Sequence, residues 1–159
     1  MMLVTADIRE AIESDLASID AEVEILATGL LELGRETTDG LLVQFNAMGL
    51  AAAIDSIYSG SERVMSLVAA KIDDAPIAKS GAWHAELIER LASPHGQRAA
   101  ILSPDTRALL DVFRSFRHRV RSNYGSRLDV PIVEERARAV PDLARLFRQD
   151  LQAFLDSQA

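Results

Sequence analysis

The residues best equipped for chemistry stand in one stretch, FRSFRHRVRSNYGSR at 113–127, with five arginines, one histidine and no acid. Elsewhere the chain is acidic: 24 Asp and Glu against 17 Lys and Arg give a formal charge of −7 over 159 residues. Guanidinium suits phosphate because its planar fork donates two hydrogen bonds at once and keeps its proton. Histidine exchanges a proton near neutral pH. Arginines with a histidine fit RNA cleavage, in which a base takes the 2′-hydroxyl proton and cations stabilise the charge on the phosphorus oxygens.

A helix at about 100° per residue sorts this stretch. Leu109, Val112, Phe113, Phe116, Val120 and Tyr124 project to one side, and Arg114, Arg117, His118 and Arg121 to the opposite side. Like charges so placed repel one another, so an anion should offset them, either carboxylates of a neighbouring helix or a phosphate-bearing ligand. The simpler alternative is a solvated basic face paired with nearby Asp and Glu. Periodicity does not decide between them.

The elements that must position these groups are all helical. Ile8, Ile12, Leu16, Ile19, Val23, Leu26, Leu30 and Leu33 form one stripe of a long amphipathic helix that ends at Gly34. A second long helix runs from Leu41 to Ile72, its apolar arc including Phe45, Met48, Ile54, Ile57, Tyr58, Met65 and Val68. Ala51–Ala53 would let a neighbour approach it closely. Residues 73–81 read as a loop, 82–92 as a short helix, and 93–97 as another break. Ser103 followed by Pro104 caps the arginine helix, and Asp129 to Pro131 open a last helix with a kink or restart at Pro141. No run alternates like a strand. The reading is one all-α domain over 1–159, a bundle of four to five helices with two long antiparallel helices.

Composition narrows the function classes. A pI near 4.9 excludes a general nucleic-acid coat or a membrane-surface binder, so any anion site is local. The absence of cysteine excludes disulfides and thiolate metal sites and fits a reducing compartment. MMLVTADIRE lacks the pattern of a signal peptide, and patches such as MGLAAAI at 48–54 are too short to span a bilayer. The expectation is a soluble cytoplasmic protein without membrane contact, metal or cofactor. The three histidines lack metal-ligand spacing; His84 reads as a packing partner of Trp83, and His95 as a solvated loop residue. Glu10, Glu13, Asp20 and Glu24 form the wet face of the first helix.

Phe116-Arg117-His118, Arg121 and Tyr124-Gly125 resemble the motif of the HEPN superfamily, in particular its HepT-like branch: arginine, four to six residues, histidine, with a tyrosine two residues on. Tyr58, Gly60 and Glu62 in the second helix, Trp83-His84 with Glu86-Leu87, Ile101-Leu102-Ser103 and Leu128-Asp129 follow in the same order, so the likeness covers about residues 45–155. The resemblance implies a toxin of a toxin–antitoxin module, a metal-independent endoribonuclease acting as a homodimer, with a small nucleotidyltransferase as antitoxin partner. It makes Arg117 the phosphate-binding arginine, supported by Arg114 and Arg121, and Tyr124 the residue to which AMP is attached. Ser122 stands where the family has its histidine. Cleavage would then use Arg117, Arg121 and His118 with Ser122 in the histidine's place. The alternatives are a degenerate member that binds RNA or its partner without cutting, and a structural helical dimer.

Overall fold

The computed structural model describes residues 4–33, 39–123 and 127–158 and contains five helices: α1 (Ala6–Leu33), α2 (Gly40–Lys71), α3 (Trp83–Ala92), α4 (Pro104–Ser122) and α5 (Val130–Asp156). Among the described residues there is no strand, only an isolated bridge between His95 and Arg98. The fold is an all-α bundle. Gly34, expected to end α1, and Tyr124 and Gly125 of the motif lie outside the described residues.

Local chemistry sets the helix starts. Asp39 caps α2 by accepting hydrogen bonds from the backbone N–H of Leu41 at 2.9 Å and Leu42 at 3.4 Å. Ser103 Oγ accepts from Thr106 N–H with Pro104 in the first turn of α4, and Asp129 accepts from Ile132 N–H at the start of α5. α5 is one helix through Pro141, not two. The proline ring faces solvent, while Val140 and Leu143 on either side are buried and hold the segment in register.

α1 and α2 are antiparallel, as paired positions show: Gly29 lies against Leu50, Ile19 against Gly60, and Asp15 pairs with Arg63. Gly60 lets this pair close up, because a Cβ there would stand 2.8 Å from Ile19 Cγ1. The stripe of α1 buries Ile12, Leu16, Ile19 and Leu26 against α2 and α5. α2 is central and packs against each of the other four helices.

Two polar anchors hold the start of α4, one to the end of α2 and one to α5. Arg98, buried in the loop before α4, makes a two-pronged pair with buried Asp73 at 2.7 and 2.9 Å and donates to the carbonyls of Arg90 and Ala99. Asp150 of α5 accepts from the backbone N–H of Ser103 at 2.7 Å. After α4, the Gln44 side chain donates to and accepts from the backbone of Leu128, both at 3.1 Å.

One expectation is corrected along α2. Leu41, Phe45 and Met48, read as part of its apolar arc, are exposed, as is Leu42, because no described element covers that face of the helix, whereas Ala47, Leu50 and Ala51 on its other face are buried. The helix runs unbroken through GLAAAIDSIYSGS and, by length and composition only, is long and apolar enough to cross a membrane, a test that the core helix of a bundle also passes. Contact with all four other helices accounts for the buried part of its apolar surface, from Ala47 to Ala69.

The two mid-helix glycines of α2 should respond oppositely to substitution. Gly49 has open space where a Cβ would go, so Gly49→Ala should raise stability by up to about 1 kcal/mol through helix propensity. Gly60→Val drives a side chain into Ile19 and should lower it by about 1–3 kcal/mol. Urea unfolding of both variants beside the parent measures this; equal signs would show that the α1–α2 spacing does not depend on Gly60.

Candidate functional site

α2 is apolar through its middle, yet Asp55, Ser59 and Glu62 recur at spacings of four and three and so share one face. That face meets α4, where Arg114, Arg117 and Arg121 also recur at three and four. The two rows interlock. Arg117 Nε donates to Asp55 Oδ1 at 2.5 Å, its Nη1 to Glu62 Oε2 at 3.3 Å, and its Nη2 reaches Ser59 Oγ at 3.5 Å. Arg121 Nη2 donates to the other oxygen of Asp55 at 3.0 Å. Arg114 turns along its own helix to Asp111 at 3.2 Å. Beneath Arg117 lies Tyr58, its ring centroid 5.7 Å from the guanidinium carbon.

This corrects the helical projection. Arg117 does not stand opposite the apolar side: its side chain is only 12% exposed. It follows Phe113 by four residues and Leu110 by seven, and both are buried, so it belongs to the edge of the buried arc. Val112, assigned to the apolar side, is 38% exposed. His118 and Ser122 are exposed and stand apart from the cluster. The arginines' repulsion is offset by carboxylates of the same chain, the first of the two anions the sequence allowed. Those carboxylates come from α2; Glu10, Glu13, Asp20 and Glu24 of α1 are solvent-facing. Tyr124, the modification candidate, lies outside the described residues.

His84 joins the cluster from α3. Its ring packs on Trp83 at 4.4 Å between centroids, as expected, but Nδ1 also contacts Glu62 Oε1 and lies 3.3 Å from Arg117 Nη1. Glu62, 5% exposed, is therefore shared between an imidazole and a guanidinium, one oxygen to each. His95, expected in solvent, is half-buried in a turn whose backbone pairs with Arg98 at 2.9 Å in both directions.

In front of the Asp55–Arg121 pair a groove of about 530 Å³ opens between α2 and α4, walled by Met48, Ala51, Ala52, Phe116, Val120 and Leu128 and ending on Arg117. The small Ala51 and Ala52 leave this space open on one side. Burial alone would raise the Asp55 carboxyl, but hydrogen bonds from Arg121 and Arg117 and the charge of both guanidiniums outweigh it and hold it below its ordinary 3.8. Burial, then the negative charge of Glu62, pushes the Tyr58 phenol well above its usual range, so it stays neutral. Its hydroxyl is buried close to Glu62.

A carboxyl whose folded value is depressed contributes stability above its unfolded value and loses it as pH falls through the folded one. The melting temperature of the parent should therefore fall between roughly pH 5 and pH 2, and Asp55→Asn should lack part of that fall while melting lower near neutrality. Identical acid slopes would show that Asp55 does not carry it.

Residues 49–158 match the family model described as HepT-like protein. No curated protein matches, and no solved structure does. The match covers more than half of the chain, most of α2 and all of α3, α4 and α5, including every residue of the Asp55–Glu62–His84–Arg117–Arg121 cluster. By that match the chain belongs to the HepT-like proteins, the HEPN-type helical bundles.

Proposed function

We propose that this chain is the toxin-side component of a toxin–antitoxin module and a metal-independent endoribonuclease, working in the cytoplasm as a symmetric homodimer with a minimal nucleotidyltransferase as its antitoxin. The observation that carries the reading is the division of labour between two arginines at the end of the groove. Arg117 is fixed: its pair with buried Glu62 would cost about 3–5 kcal/mol to break by removing one partner. Of its five N–H bonds three are engaged, which leaves two for a phosphate. Arg121, 60% exposed, is held to Asp55 by a surface pair worth about 0–1 kcal/mol, so an incoming phosphate competes for it at little cost. A dimer is supported by the exposed row Leu41, Phe45 and Met48 that leads into the groove, an apolar face suited to a second copy.

A second reading, an RNA- or partner-binding protein that does not cut, is favoured by Ser122 in the histidine's place, since a serine hydroxyl is a poor base at neutral pH. Incubation with single-stranded RNA separates the two. Cleavage by the parent that is lost in Arg117→Ala supports the nuclease; salt-dependent binding without cleavage supports the second reading. Arg121→Ala should keep the parent's melting temperature, bind RNA more weakly, and show a salt slope shallower by about 0.7 in log–log units, one phosphate contact on a single strand. Unchanged binding in that variant would remove Arg121 from the phosphate site.

A further inference from the structure

Phosphate binding alone does not cut RNA; a group must take the 2′-hydroxyl proton. Position 122 supplies none, and His118 is exposed and not among the partners of Arg117. A histidine nevertheless touches Arg117. His84 presents Nδ1 to Glu62 Oε1 and to Arg117 Nη1, and its ring is about one-third exposed. A carboxylate oxygen only accepts hydrogen bonds, and a guanidinium only donates, so the hydrogen on Nδ1 goes to Glu62. Nε2 is then the free lone pair of the neutral ring. A buried carboxylate that fixes the tautomer of an imidazole, with the second nitrogen left to exchange a proton, is the arrangement that makes histidine a base in nucleophilic enzymes.

We propose that His84 is the acid–base catalyst of this protein, with Glu62 as its positioning residue, acting on an RNA phosphodiester bound at Arg117; this rests on the ribonuclease reading above. His84 Nε2 takes the 2′-hydroxyl proton, and the 2′-oxygen attacks phosphorus. The bond from phosphorus to the 5′-oxygen breaks, and that oxygen leaves with a proton from water. The imidazolium then returns its proton to the hydroxide so formed. The products are a 2′,3′-cyclic phosphate and a 5′-hydroxyl, with no metal or cofactor required for balance. The juxtaposition depends on three helices: Glu62 from α2, His84 from the first turn of α3 and Arg117 from α4. Trp83 backs the ring, and Lys79 lies 5.4 Å over Trp83 on its own account.

The test is a steady-state cleavage assay on a labelled single-stranded RNA with full-length parent, Arg117→Ala, His84→Ala and Glu62→Gln, each checked for helical content and melting temperature. His84→Ala should lose about 10²- to 10⁴-fold in kcat and recover part of it when free imidazole is added, because a ring one-third exposed leaves an accessible vacancy. Glu62→Gln, which also loosens the hold on Arg117, should lower kcat by more than it raises KM. The parent's product should end in a 2′,3′-cyclic phosphate. Cleavage that depends on Arg117 but survives in His84→Ala overturns the assignment and leaves the nuclease standing. A loss in His84→Ala that imidazole does not restore assigns the ring a packing role on Trp83 and also overturns it. No Arg117-dependent cleavage by the parent removes the nuclease itself, and the assignment falls with it.

Discussion

Burying a guanidinium between two helices is the constraint on which the site depends. Arg117 has too many donors to be left unsatisfied in a mostly apolar interface, and Asp55, Ser59 and Glu62 meet three of them from one face of α2. The converse holds for Glu62, whose 5% exposure would be prohibitive for a lone carboxylate. Each charge makes the other's burial tolerable, and the geometry of α4 against α2 follows from both. Lysine at 117 would not substitute: a single ammonium on a flexible stem cannot bond Asp55 and Glu62 through separate edges of one rigid plane.

The cluster also answers why an acidic chain gathers its arginines on one helix. With α2 acids opposite, Arg117 and Arg121 against Asp55 and Glu62 sum to local neutrality, so the basic helix relieves an acidic stripe as much as the stripe relieves it. The neutrality is unevenly held. Inside, where water is scarce, the Arg117–Glu62 pair is screened little; at the groove mouth the Arg121–Asp55 pair is screened by solvent and salt. One end of the same network is thus rigid and the other exchangeable, which suits a site that must keep its shape while admitting an anion.

Much of the fold was legible in the sequence. The stripe from Ile8 to Leu30 in α1, the Ser103-Pro104 and Asp129 caps, and the loop at 73–81 each follow from local rules, periodicity or capping, that depend on few distant contacts. The site was legible only in part. The arginine row is plain in the sequence, but its facing is not: charge argues for water at Arg117, whereas its place four residues after Phe113 puts it on the buried edge. The signal for its partners was present in the spacing Asp55, Ser59, Glu62 within an otherwise apolar helix. His84 was read from Trp83 beside it, and nothing local to α3 reveals that α2 and α4 converge there. Arg98 escaped notice for the same reason, since its partner Asp73 is 25 residues away in a different turn. Likewise the exposure of Leu41, Phe45 and Met48 depends on which described elements pack against α2, which no helical pattern encodes.

Core and site are finally one construction along α2. Gly60 lies between Ser59 and Glu62 in sequence but faces α1, where its missing Cβ admits Ile19. The same two turns that press α1 inward therefore fix the backbone from which Asp55, Ser59 and Glu62 project towards α4. Interiors are close-packed and transmit displacement instead of absorbing it, so a shift forced at Gly60 on one side reaches the carboxylates on the other. A change in the core that leaves every functional side chain in place still moves the distances between Glu62, His84 and Arg117, and these decide whether an imidazole stands beside the guanidinium or merely near it.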